Sequence, residues 1–164
     1  MRSIEVQPTG EGYVIDLVMW TPVARELAFE VLIDFEHVAS WTPNVRESRV
    51  LKRAADRVTV EYKGSVRLGA VTVPFTTVRE VEFTAPALIE SIQIKGTMKR
   101  HTSRISFAAE DAGTRVDYHL EMVPSAVAAG LLSKVRLEQE FRETFDAAAS
   151  EMLRRKSAAT LTQR

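Results

Sequence analysis

The chain has 164 residues, of which 45% are hydrophobic and 27% charged; it is long enough for one domain with a sizeable core, and its composition is not that of a disordered chain. Its 22 basic and 22 acidic residues cancel, which removes any global field toward nucleic acid or an anionic membrane and leaves only a local basic patch as a source of such attraction. The absence of cysteine excludes disulfides, thiolate metal sites and cysteine nucleophiles together.

Met1 to Glu5 lacks the apolar run of a signal peptide, and no stretch approaches the roughly 18 apolar residues of a spanning helix, so a cytoplasmic protein without a transmembrane segment is expected. Tyr13, Ile15, Leu17 and Met19 alternate with Val14, Asp16, Val18 and Trp20, which predicts a half-buried strand. Thr21 and Pro22 read as the N-cap and first-turn proline of a short helix, in which Ala24, Leu27, Ala28, Val31 and Leu32 follow at helical spacing as far as Asp34. A further turn from His37 must close before Pro43, because the residue ahead of a proline is pushed out of the helical region. From Ser48 the pattern alternates, broken at Ala55-Asp56, Leu68-Gly69, Ala85-Pro86, Gly96 and Asp111-Ala112-Gly113. Six strands fit, near 47–54, 57–67, 71–83, 88–95, 97–109 and 114–123, and the short connections imply an antiparallel meander. Gly96 reads as a turn or as a bulge in one bent strand.

After Pro124, the segment from Ser125 to Lys156 has no proline and carries Val127, Leu131, Phe141, Phe145, Ala148 and Met152 on one side, which predicts a single long helix. At about 1.5 Å per residue it would reach about 45 Å, enough to cross a small sheet. Residues 157–164 are polar and are expected as a tail beyond a single domain of residues 1–156.

Residues 21–51 combine Thr21-Pro22, an apolar helix ending at Asp34, Trp41-Thr42-Pro43 and a strand ending Val50-Leu51. Together with Lys95-Gly96 ahead of a strand and Gly113-Thr114-Arg115-Val116 opening the last one, this resembles the START / polyketide cyclase-like superfamily of helix-grip proteins, over roughly residues 13–153. The resemblance implies an α+β fold: a curved, seven-stranded antiparallel sheet around a long C-terminal helix, with two short helices after the first strand. A strongly bent sheet is not filled by one helix, so an apolar ligand cavity is expected between them. The resemblance extends to polyketide cyclases or aromatases and to coenzyme Q-binding proteins, and a fold does not fix one activity.

Arg79 shares strand parity with Thr77, Val81 and Phe83, whereas Glu80 and Glu82 take the opposite face. An inward guanidinium costs several kcal/mol unless a carboxylate, a ligand oxygen or water meets it, so it is read either as an ion pair or as a ligand contact. The resemblance places a hydroxyl residue two before an arginine on this strand of aromatase/cyclases, which makes Thr77 and Arg79 the candidate catalytic pair. Trp41 is a core anchor or a lid at the cavity mouth. Glu138 either pairs with Lys134 one helical turn away or reaches the cavity and Arg79. His101 shares parity with Ile105 and Phe107 and is a satisfied core group or an acid–base catalyst, while His119 faces outward. Tyr62 and Tyr118 look inward with hydroxyls available to a ligand, and Phe75, Phe141 and Phe145 complete the expected ligand-binding set.

Three dispersed histidines lack the spacing of a metal site, and neither a Gly-x-Ser-x-Gly elbow nor a phosphate loop is present, so no metal or cofactor is implied. The leading expectation is a binder of a hydrophobic small molecule: a lipid, quinone or aromatic polyketide. The alternatives are a polyketide cyclase/aromatase-type enzyme and an interaction or regulatory module acting through its surface; no nucleic-acid partner is expected.

Overall fold

The computed structural model describes residues 1–162, and for Thr162 the backbone alone. Eight strands form one antiparallel sheet: β1 (Ser3–Pro8), β2 (Tyr13–Thr21), β3 (Val45–Arg53), β4 (Arg57–Leu68), β5 (Val71–Thr84), β6 (Leu88–Gly96), β7 (Arg100–Glu110) and β8 (Gly113–Val123). Their order is β1-β2-β8-β7-β6-β5-β4-β3, so β3 to β8 are a continuous meander and β2 returns to pair with the last strand. Two short helices, α1 (Arg25–Ile33) and α2 (Val38–Trp41), lie between β2 and β3, and α3 (Ala126–Ala129) and α4 (Lys134–Thr162) follow the sheet. This is the helix-grip architecture, with three corrections to the sequence reading.

The sheet has eight strands instead of seven. β1 is an edge strand paired with β2 from Ser3↔Val18 to Pro8↔Tyr13, and it turns only Ile4 and Val6 inward ahead of its terminal proline. The helix after β2 starts at Arg25 with Ala24 as N-cap, not at Thr21. Thr21 is still paired with Thr114 of β8, so its backbone is committed to the sheet. The long C-terminal helix is interrupted between Ala129 and Lys134; Ser133 caps the second segment by accepting from the Arg136 amide at 3.4 Å. The break resets the helical phase and leaves Val127, expected on the buried side, 82% exposed. α4 then continues through Lys156, over part of the expected tail, while residues 163–164 lie outside the described residues.

The core fills one end of the grip. Phe29 of α1 meets Phe83 and Phe107 edge-on at 6.2 and 5.5 Å, above Val58, Val60, Val81, Ile89 and Val116. α4 lies against β1, β2, α1 and α2, burying Phe145, Ala148 and Met152. Arg155 bonds both Glu151 on its own helix and Asp34 at the end of α1, each at 2.7 Å, which ties α4 to α1. Because α4 sits over the β1–β2 side, the inner face of β4 to β6 receives less cover. Among the described residues, no helix is long and apolar enough to cross a membrane.

Candidate functional site: an arginine-centred cleft on the inner face of the sheet

The inner face of β4 to β7 is set by register. Tyr62 of β4 pairs with Thr77 of β5, Val60 with Arg79, and Arg79 with Gln93 of β6. These strands therefore direct Tyr62, Phe75, Thr77, Arg79, Gln93, His101 and Ser103 to one side. At the α1 end this face is fully packed, but Tyr62, Phe75, Arg79, Gln93, Met98 and Phe141 are only half-buried. Half-exposed side chains on the concave face of central strands mean that solvent reaches them, which makes this part of the inner face the candidate cleft.

Arg79 is the cleft's central charge. Its Nε donates to Thr77 Oγ1 at 3.4 Å, its Nη2 to His101 Nε2 at 3.3 Å, and its guanidinium carbon lies 5.6 Å from the Tyr62 ring centre. The Thr77 hydroxyl donates in turn to Gln93 Oε1 at 3.1 Å, and Gln93 Nε2 donates to the Met98 carbonyl at 2.7 Å. Thr77 is thus spent on orienting the guanidinium. No carboxylate pairs with Arg79 among the described residues: Glu138 faces Lys134 at 3.8 Å instead, so the Glu138–Arg79 pair considered from the sequence does not form. Two of the five guanidinium donors are used, and the others have no hydrogen-bond partner among the described residues.

Burial and Arg79 together hold the His101 pKa well below the usual imidazole range, so the ring is neutral at neutral pH. Since Nε2 accepts from Arg79, the proton of the neutral ring sits on Nδ1, which is buried and has no hydrogen-bond partner among the described residues. Burial pushes the hydroxyls of Tyr62 and Tyr118 up to about 12 against the opposing effect of Arg79, so both remain protonated donors.

The apolar wall comes from both layers. Tyr118 meets Phe141 and Phe145 of α4 at ring distances of 5.8 and 4.9 Å, and Phe75 lies opposite Gly64 in register. Trp41, at the end of α2, packs half-buried against the core with its indole N–H unpartnered among the described residues. His101 and His119 take the inward and outward positions that parity assigns, and His119 bonds Asp16 on the outer face at 2.7 Å.

Sequence reasoning missed Gln93, Ser91, Ser103, Asn44 and Glu140. Ser91 and Ser103 bond each other at 2.8 Å beneath Tyr118; their parity with Ile89 and Ile105 was visible, but serine at an inward position carries no signal by itself. Gln93 shares the inward parity of Ile89 and Ser91 and pairs with Arg79, just ahead of a register shift between Val78 and Arg79, but a lone amide on a strand carries no signal by itself. Gly96 follows that shift and ends β6; a Cβ there would lie 2.5 Å from Gln93 Oε1 and 2.6 Å from the Thr76 carbonyl, so the position needs glycine for close approach. Glu140 of α4 accepts a hydrogen bond from Asn44, and burial, with Glu143 nearby, raises its pKa to about 7.

A depression of about 300 Å³ on the outer face is lined by Glu80, Glu82, Glu90, Ile92, Arg104 and His119 among others. Its floor is the convex side of the sheet and its walls are charged and open, so it offers an apolar ligand little burial. The inner cleft is the better candidate. No described group of three or more His, Asp or Glu is placed to hold a metal ion.

No curated protein matches the sequence. The fold aligns with a STAR-related lipid transfer protein from Xanthomonas axonopodis at a TM-score of 0.75 and 14% identity, covering 91% of this chain and 92% of that one. A START superfamily protein from Mycobacterium smegmatis aligns at 0.74 with 13% identity over 87% and 99%, and the Zhui aromatase/cyclase from Streptomyces sp. R1128 at 0.70 with 15% identity over 89% and 96%. At these identities the neighbours show the fold. Residues 21–157, which include every residue of the cleft named above, match the family described as polyketide cyclase / dehydrase and lipid transport, and the chain belongs to that family.

Proposed function

We propose that the protein binds a hydrophobic small molecule (a lipid, quinone or aromatic polyketide) in the inner cleft, with an oxygen of the ligand on Arg79. The observation that carries this reading is the guanidinium itself: it lies on the concave face, held by Thr77 and His101, with no described carboxylate against it and donors to spare. An arginine so placed is a desolvation burden in an unliganded protein and an anchor in a liganded one. Phe75, half-buried on the same face, and Tyr118, Phe141 and Phe145 supply the apolar wall, Trp41 closes the α2 side, and the Tyr62 ring lies beside the guanidinium. Glu138 lies at the α4 side of the opening and has its own partner in Lys134.

Isothermal titration against a fatty acid, a quinone and a flavonoid tests this. Saturable one-to-one binding of at least one in the micromolar range, about −8 kcal/mol, is expected. Heats without saturation for all three would remove the proposal.

A cyclase/aromatase-type enzyme is the second reading, favoured by the hydroxyl and guanidinium two residues apart on one face beside a neutral imidazole. Arg79 would stabilise an enolate as charge develops on a ligand carbonyl, and the apolar wall would fold the poly-β-ketone. Turnover of a short poly-β-ketone thioester to a cyclised aromatic product by the wild type, and not by Arg79→Gln, would establish catalysis. Binding of the same thioester with no product would leave the binder.

A further inference from the structure

The charges of this electrically neutral chain are not evenly spread. Residues 64–78, 91–103 and 122–137 contain Arg67, Lys95, Lys99, Arg100, Lys134 and Arg136 and no aspartate or glutamate. The fold brings these three stretches to one end of the sheet. The β4–β5 turn at Gly69 (φ 70°) reaches the start of α4, where a Cβ on Gly69 would lie 3.0 Å from Arg136 Nη2. The Thr97 amide donates to the Thr76 carbonyl at 2.9 Å, and the Lys99 amide to the Val123 carbonyl, also at 2.9 Å, just before α3. Together these segments form a rim at the end of the sheet away from α1.

Two further features set this rim apart. Elsewhere on the surface the cations are mostly neutralised: Arg49, Arg53, Arg57, Arg104 and Arg115 each face a carboxylate. Among the described residues, Arg67, Lys95, Lys99 and Arg100 form no ion pair, and all four are exposed. Between them project aliphatic side chains that a soluble surface has no reason to present together: Val71 is 47% exposed, Val127 82% and Val135 72%.

We propose that this rim docks on a membrane surface carrying anionic lipid headgroups, with the three valines entering the interface. Unpaired lysines and arginines are drawn to the negative potential of such a surface, and short apolar tips among them gain burial at the headgroup boundary. A lipid surface fits better than an acidic protein. The protruding groups are separate small aliphatics without an exposed Trp, Tyr or Phe among them, so they offer no anchor for a partner's pocket, whereas a fluid interface requires no shape complementarity. Neutral net charge is no obstacle, because over a distance of about 10 Å or less at physiological salt the local patch is what a headgroup meets. The proposal does not depend on the cleft holding a ligand.

Co-sedimentation of the full chain with vesicles of phosphatidylcholine, or of phosphatidylcholine mixed with phosphatidylglycerol, reads the docking without any ligand. Binding to the mixed vesicles, weak binding to the neutral ones and loss at high sodium chloride are expected. Neutralising Arg67, Lys99 and Arg100 to alanine should weaken it about a hundredfold, roughly fivefold for each charge removed. Val127→Ser with Val135→Ser should also weaken it, at unchanged salt dependence. All five residues are exposed, so thermal melts should match the wild type. Arg49→Ala with Arg53→Ala, near the β3–β4 turn at the opposite end, should leave binding unchanged. No binding to mixed vesicles, or equal loss from this control pair, would overturn the proposal. Retention on immobilised polyglutamate by a protein that ignores both vesicles would reassign the rim to an acidic protein partner.

Discussion

A guanidinium on the concave side of a sheet can be tolerated for structural or for functional reasons, and its partners decide between them. Arg79 has a hydroxyl, an imidazole nitrogen and a ring face as neighbours, none of which carries negative charge. Replacing it by glutamine therefore strands no carboxylate, and Arg79→Gln should leave the urea midpoint unchanged or raise it, while ligand affinity falls by about 1.5–3 kcal/mol. A loss of several kcal/mol of stability would instead mark a structural arginine. Two other cleft residues make stability depend on pH with opposite signs. Glu140 has a folded pKa raised to about 7, so its contribution is complete below the unfolded value of 4.5 and is lost as pH rises through 7. Glu140→Gln keeps an acceptor for Asn44 and should gain stability over the wild type between pH 5 and pH 8, by about 1 kcal/mol once solvent screening of this partly exposed group is allowed for. His101 has a depressed pKa, so its contribution is present above 6.5 and is lost as pH falls, when the unfolded chain takes up a proton that the folded one refuses. His101→Gln should therefore fare better relative to the wild type at pH 5 than at pH 7.5; melts across that range check both signs.

At the scale of elements, α4 grips through unequal contacts. Phe145 is 6% exposed and lies 4.9 Å from Tyr118, whereas Phe141 is half-buried at the cleft. Phe145→Ala should cost about 3–5 kcal/mol and Phe141→Ala clearly less, because a cavity opened at a solvent-accessible wall is filled by water. Equal urea midpoints for the two variants would place the helix elsewhere. Arg155→Ala removes the tie from α4 to Asp34 and from Glu151, whose pKa is lowered to about 2 chiefly by its hydrogen bond from Arg154 and, against burial, by that from Arg155. A cost of about 1–2 kcal/mol is expected, modest because Arg154 remains on Glu151. These elements were unequally legible in the sequence. The six strands after Ser48 declared themselves by strict alternation and turn residues. β1 did not, since Ile4 and Val6 are too few to establish a period and its place is fixed by pairing with β2. The break before α4 was hidden because Gly130 has ordinary helical φ, although Ser133 was a cap in plain view.

For the whole molecule, what the sequence disclosed and what it withheld follow from the same register. Inward parity, read strand by strand, identified Arg79, Thr77, His101, Tyr62 and Tyr118 as inward-facing, because alternation is a local property of the backbone. It could not reveal that Glu138 turns to Lys134, that Gln93 takes the hydrogen bond of the Thr77 hydroxyl, or that three acid-free stretches far apart in the chain meet at one end of the sheet; those are consequences of which elements lie side by side. Linkage then connects the cleft to global stability. A ligand that binds only the folded chain, at a hundredfold excess over its Kd, stabilises it by about 2.7 kcal/mol. For a domain of this size each kcal/mol moves Tm by about 2–4 °C, so the wild type should melt about 5–10 °C higher with ligand than without. If Arg79 anchors the ligand oxygen and its loss weakens affinity about thirtyfold, the same ligand concentration is only about threefold above the variant's Kd and contributes under about 1 kcal/mol. Arg79→Gln should then start from a wild-type or higher Tm and gain only about 2–3 °C on adding ligand. Equal ligand-induced shifts in the two proteins would show that the ligand does not touch Arg79, and a lowered starting Tm would show that the guanidinium supports the fold.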